Sequence, residues 1–389
     1  MSEVRVNNLT NENNTGGPTI SGITTYSGRH FFVPPSGDTA SRPEDCEPGS
    51  LRFNTDSAHL EYFRGNTIGW TEIEAELTAP LGGGTGSNTG LGTRVLQAGG
   101  QAPSNTNNVI QFFTLSTLGN AQDFGDLLDN GRSSRGAASS RTRGLFANFD
   151  EGNAIMFVTI ASLGNATDFG DTTYTGRYKC GFSSQTRALF AGGRTVSPSV
   201  YKDDICFVTT ATTGNAVDFG NLEAGNPFMA SLASSTRGVV AGGYRSPGAL
   251  TNIIQFVTMS STGNSTDFGD LLNPVYAAQA ASNSTRGIIS GGDESSPVGK
   301  TNVIQFITIA STGNSTDFGD STNKVHTAGG AASPTRAAFF GGYTGLGSPN
   351  ATNEINFVEI ATTGNAQDFG DLTLSPFYSC GISNGHGGL

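Results

Sequence analysis

Residues 276–320 read YAAQAASNSTRGIISGGDESSPVGKTNVIQFITIASTGNSTDFGD, and they fall into four short runs. YAAQAASN is a strand of small residues, and RGIISGG is a second that ends in a glycine doublet. NVIQFITIAS is a third, enriched in β-branched and aromatic residues, and STDFGD is a fourth. Ser-Asn-Ser-Thr and Ser-Thr-Gly-Asn lie between them, residues whose side chains bond nearby backbone and so favour turns.

The same pattern recurs on both sides. The motif GNxxDFG occurs six times, its first glycine at Gly119, Gly164, Gly214, Gly263, Gly313 and Gly364, at intervals of 45, 50, 49, 50 and 51. A Thr-Arg pair opens the second strand at Arg94, Arg143, Arg187, Arg237, Arg286 and Arg336. Four strands in about 50 residues is the size of a propeller blade, so the fold class predicted is all-β: a six-bladed β-propeller of four-stranded blades. A solenoid would need capping repeats with polar outer faces. Here the ends complement each other instead. The first Thr-Arg strand (93–100) has no small-residue strand before it, and the last DFG is followed by SPFYSCGISN with no second strand after it. Residues 377–384 are therefore expected to form the innermost strand of the first blade, removing free edges.

The composition agrees. Of 389 residues 55 are Gly, about twice the usual share, while Pro is only 15 and no every-third-residue period exists, which excludes collagen. The twelve GN and FG glycines and five Gly-Gly doublets give much of that excess a place in turns; flexibility is expected only in PLGGGTGSNTGLG (80–92) and at the extreme termini. No run approaches the ~20 apolar residues of a membrane span, so no membrane insertion is expected. A net charge of -11 repels a phosphate backbone, which argues against nucleic acid. MSEVRVNNLTNENN has neither a basic nor an apolar leader region, so cytosolic synthesis is expected. Cys46, Cys180, Cys206 and Cys380 show no metal-ligand spacing and read as reduced thiols.

Antiparallel succession places the second-to-third and fourth-to-first connections on one face, the other turns on the opposite face. Length varies chiefly in the second-to-third loops, such as RTVSPSVYKDD (194–204) and YTGLGSPNATN (343–353). Recognition is therefore expected there, with Arg194, Tyr201, Lys202, Tyr244, Arg245, Lys300 and Tyr343 as candidate contacts. The six repeat arginines face six aspartates at the start of the fourth strands: Asp123, Asp168, Asp218, Asp267, Asp317 and Asp368. Binding sites usually break a repeat's symmetry, so this ring is read as Arg–Asp pairs that hold turns and blades. It is not read as a metal or polyanion site. A second acidic position (Asp126, Asp171, Asp270, Asp320 and Asp371, with Asn221 in the third repeat) reads as a turn residue. DFG without the remaining kinase motifs, and Gly299-Lys300-Thr301 without the first glycine of a phosphate loop, carry no nucleotide chemistry. His30, His59, His326 and His386 are scattered, and no nucleophile elbow or zinc motif occurs. The chain is read as a non-enzyme without cofactor, metal or catalytic residues.

Residues 1–92 differ in character, carrying 5 Arg against 11 Asp and Glu and the one Trp, Trp70. They divide into an N-terminal module (1–79) and the linker 80–92, before the propeller at 93–389. Within PGSLRFNTDSAHLEYFRGNTIGWTEIE (48–74), alternation about Asn54–Ser57 predicts a β-hairpin or small meander. So small a piece is expected to pack on another chain or on its own copies.

Residues 93–389 resemble the kelch repeat in the glycine doublets, the following Tyr244 and Tyr343, and an aromatic in the fourth strand. Phe124, Phe169, Phe219, Phe268, Phe318 and Phe369 replace the kelch tryptophan, and Ala147-Asn148 replaces one doublet. The pieces 4–22 and 31–43, the hairpin and the TGNAxDFGDL element resemble tail-fibre and virion structural proteins of marine and cyanobacterial phages. What the resemblance implies is a virion component whose 1–92 part docks on other virion proteins. Its propeller would meet host-surface saccharide or protein, and a homo-oligomer, a trimer by analogy with phage fibres, is expected. A purely architectural virion protein and a propeller polysaccharide hydrolase are the alternatives.

Overall fold

A computed structural model describes residues 34–44, 46–57, 59–72, 93–101, 106–130, 136–147, 152–294, 299–345 and 350–389. The predicted linker 80–92 and the segment 4–22 lie outside them, as do parts of four of the second-to-third loops. The fold is all-β, and the chain divides into two units, 1–78 and 79–389.

In the first unit the predicted meander forms. Leu51–Asn54, His59–Phe63 and Trp70–Glu72 pair antiparallel, and Ser36–Gly37, which the sequence did not reveal, adds a parallel edge. Asp56 N–H donates to Asn54 Oδ1 at 3.0 Å, the local bond that makes Asn54–Ser57 a turn. The alternation is inverted, for Arg52, Asn54 and Glu61 are buried while Leu51 and Phe53 are exposed. Buried Glu61 is compensated: Arg42 Nη2 donates to it at 2.7 Å, Asn54 Nδ2 at 3.3 Å, and Arg52 Nε lies 3.5 Å away. Burial pushes its carboxyl up, but these bonds and charges hold it below the usual range.

The second unit contains six four-stranded antiparallel sheets among the described residues. The quoted stretch gives Gln279–Ser282, Arg286–Ser290, Val303–Thr308 and Thr316–Asp320, one strand per predicted run. The sheet of the first repeat has the order Cys380–Ser383, Arg94–Gln101, Thr106–Thr114, Gln122–Asp126, so the expected late strand supplies its first position. The first strand of each sheet lies beside that of the next, and Cys380–Ser383 lies between Gly329–Ala332 and Gly136–Ser139. Only small residues allow this approach: a Cβ on Gly181 would lie 2.6 Å from the backbone of Ala137.

The recurrent motifs become inter-sheet fastenings. In every repeat the register slips between the third and fourth strands, so that DFG supplies a bulge. Its Phe is 2–3% exposed. Within each sheet it meets the third-strand Phe edge-on, as Phe157 and Phe169 do at 5.6 Å. The GN glycine then donates to that Phe carbonyl in the preceding repeat, Gly164 N–H to Phe124 O at 2.9 Å, and the Asn side chain accepts from the residue after DFG, Asp126 N–H to Asn165 Oδ1 at 3.0 Å. Both series return to their start. Gly119 N–H donates to Phe369 O and Asp371 N–H to Asn120 Oδ1, each at 3.0 Å. The hydrophobic clusters likewise bridge consecutive sheets, the last joining Phe340, Ile355 and Phe369 to Val95 and Phe113.

One expectation is corrected at the far end. Residues 384–389, read as flexible, are packed: Asn384 Oδ1 accepts from Arg94 N–H at 2.8 Å, and Gly387 N–H donates to Ser282 O at 2.8 Å. His386 Nδ1 accepts from Gly388 N–H at 3.1 Å, which leaves Nε2–H to donate to Ser139 O at 3.0 Å. The segment thus bonds to first strands of the second and fifth repeats. Glycines suit it because no side chain would fit so close to those carbonyls.

Candidate functional site

The predicted Arg–Asp ring is not formed. Each repeat arginine stacks over the third-strand Phe of its own sheet, with Cζ 4.6–4.9 Å from the ring centre. It then donates to a carbonyl of the next repeat: Arg94 to Ile160 O at 2.8 Å, Arg187 to Met259 O at 3.1 Å, Arg237 to Ile309 O at 2.9 Å. Arg143 reaches Thr210 O and Ala211 O, and Arg286 reaches Ile360 O and Ala361 O. Arg336 bonds Leu115 O at 3.0 Å and pairs with Glu359 at 2.7 Å, so this circle also returns to the first repeat. The acceptors are backbone groups because the third strands end there with carbonyls that no strand partner takes. Asp123, Asp168, Asp218, Asp267, Asp317 and Asp368 are exposed on their bulged strands, and none is an ion-pair partner of these arginines among the described residues.

The second-to-third loop residues fare differently. Arg194 is bridged through its backbone to Arg177 and Tyr201, and its guanidinium lies over Tyr178, 5.8 Å from the ring centre. Lys202 pairs with Asp204 at 3.5 Å and Arg245 with Glu223 at 3.1 Å. Lys300 Nζ sits 5.1 Å over Tyr343. A cavity of about 310 Å³ lies in the third repeat between Thr175-Gly176 and the loop Thr195–Lys202.

Tyr244 and Tyr343 belong to a larger assembly, a closed circuit of aromatic side chains that are half-buried except for buried His326. Tyr178 stacks on Phe228 with centroids 3.8 Å apart and planes at 26°. Phe228 meets Tyr276 at 5.8 Å, with Tyr244 4.7 Å from Tyr276. The circuit continues through His326 at 5.8 Å, Tyr343 at 5.3 Å, Phe377 at 5.3 Å and Tyr378 at 5.3 Å, and closes on Tyr178 at 5.9 Å. Backbone bonds tie it together: Ala277 N–H to Phe228 O, Thr327 N–H to Ala277 O and Tyr378 N–H to Thr327 O, each 2.9 Å. Beneath lies a cavity of about 110 Å³ between the first strands, whose channel-facing residues are Ala137, Gly181, Ser231, Ala280, Gly330 and Gly381. A second, of about 60 Å³, continues to His386, so the terminal segment stops the other end.

Burial sets the protonation of this region. His326, 8% exposed, is pushed down to about 4 by desolvation and then by the charge of Lys300. Burial likewise lowers Lys179 to about 8, its Nζ lying 4.7 Å over Tyr174 and 3.5 Å from Thr172 Oγ1. The Cys180 thiol is raised to about 12, which leaves it without thiolate reactivity near neutrality. Tyr276 is raised by burial and by nearby Asp293.

Most rings in this circuit come from the fourth-to-first loops, which sequence reasoning set aside because their length is constant. The signal was a column: aligning the repeats two residues before the first strand gives Tyr178, Phe228, Ala277, Thr327 and Tyr378. Length constancy and side-chain divergence at that column are separate observations, and the second marks the site. No family model matches the chain. No curated protein matches it either.

Proposed function

We propose that residues 93–389 form a six-bladed, kelch-like β-propeller and that the chain is a non-enzymatic virion structural protein of a bacteriophage. In this reading residues 1–79 dock on other virion proteins and the propeller recognises the host surface as part of a tail fibre or surface appendage. The propeller reading is supported by three series of inter-repeat bonds that each return from the sixth repeat to the first. The recognition reading is carried by one observation: repeat symmetry is kept in the fastenings and broken in the aromatic circuit and its surrounding loops. A scaffold that is uniform inside and divergent on one face is built to present contacts. The inverted sheet of the first unit, with Leu51 and Phe53 exposed, supports docking there, because an apolar sheet face left open favours a protein partner.

The full chain, labelled and mixed with bacterial cells of candidate hosts, is expected to bind, and exchange of residues 194–202 or 343–352 for the shortest loop is expected to weaken that binding. Absence of binding to any host that the parent particle infects would favour the architectural alternative, in which the same face contacts virion partners.

A further inference from the structure

The rim of the channel carries strain as well as rings. Tyr178, Phe228, Ala277, Thr327 and Tyr378 hold left-handed backbone, with φ between 54° and 64°, at the same position of five repeats. Asn or Gly adopts this conformation at less cost than a bulky residue. Nevertheless the third, fourth and first repeats place Tyr178, Phe228 and Tyr378 there, while the fifth and sixth place Ala277 and Thr327. Strain of this kind persists where the side chain it presents has a use. The result is asymmetric: three large rings stand on one side of the opening, and two small side chains leave room on the other.

The lining limits what enters. Among the described residues it contains no Asp or Glu to offer a cation a counter-charge. The one charged residue among its described lining residues, Lys179, is 4% exposed and turned to Tyr174. Hydroxyl-bearing Ser231, Thr327 and Ser379 and the amide of Gln279 alternate with alanines and glycines. Ser379 is 5% exposed, and its hydroxyl has no hydrogen-bond partner. A neutral ligand with one flat C–H face and several hydroxyls matches aromatic faces above a small polar cavity. An apolar ligand would leave that polar lining unsatisfied.

We propose that the channel mouth binds the terminal pyranose of a neutral saccharide, its C–H face against the open ring face of the Tyr178–Phe228 stack beside Tyr378 and a hydroxyl directed into the cavity below. This rests on the recognition reading above and names its ligand and site. The test is titration of the full chain with the methyl glycosides of glucose, galactose, mannose and N-acetylglucosamine, followed by calorimetry and saturation-transfer NMR. At least one is expected to bind, with saturation concentrated on the protons of one ring face. Tyr178→Asn and Phe228→Asn, which suit left-handed backbone, are each expected to weaken binding about tenfold. Their melting midpoints should stay unchanged or rise, which a merely structural role of the rings would not give. Failure of all four glycosides to bind, or binding unmoved in both variants, overturns the site. If cell binding is lost on exchange of loop 194–202 but kept in both asparagine variants, the recognition reading stands and the channel-mouth site falls.

Discussion

Arg237 illustrates how much a single repeated residue holds. Its guanidinium covers Phe256 at 4.6 Å and donates to Ile309 O across the sheet boundary at 2.9 Å. Removing it strands that carbonyl and uncovers the ring, so Arg237→Ala is expected to cost about 2 kcal/mol in urea unfolding, with saccharide or cell binding unchanged. Gly220 sets a harder limit. At φ +146° its missing side chain faces the Gly263 carbonyl, and any Cβ would collide with it. Gly220→Ala should destabilise by more than about 2 kcal/mol, read from the same urea midpoint. The structural role of the arginines was legible because all six repeats carry them, but their partners were not. A backbone carbonyl has no letter in a sequence, so Asp was the nearest acceptor that reasoning from side chains could name.

Among the elements, residues 384–389 depend on pH. The His386 imidazole is held at about 4 by burial against an ordinary 6.5, and His326 is lowered in the same sense. The unfolded chain therefore takes up these protons first. Their contribution is complete above about 6.5, declines as pH falls towards 4 and is flat below it. The melting midpoint should fall across that window, and His386→Gln should flatten part of the decline; an unaltered slope would mean the tail does not couple to unfolding. The pairing of Cys380–Ser383 with Arg94–Gln101 was readable because the two halves of one sheet stood unmatched at opposite ends. The tail was not, since Gly-His-Gly-Gly gives the composition of a flexible end. It packs because first-strand carbonyls converge at the channel end and only glycine fits between them.

At the scale of the whole molecule, fastening that returns to its start makes the second unit depend on every sheet. A chain lacking residues 374–389 leaves the inner edge of the first sheet open, and it is expected to aggregate and to lose a single sharp unfolding transition in calorimetry. Repeat count and strand order were legible because motif spacing is a one-dimensional quantity. The aromatic circuit was hidden because its members lie in different repeats and become neighbours only when the sheets are arranged around a common channel. The late strand also orders events during translation. Cys380 and its acceptor Ala98 are 282 positions apart, so the ribosome makes the first sheet's partner strands long before its innermost strand. Of these six repeats the first is completed only after the other five, and until then its Arg94–Gln101 edge needs shielding from neighbouring nascent chains.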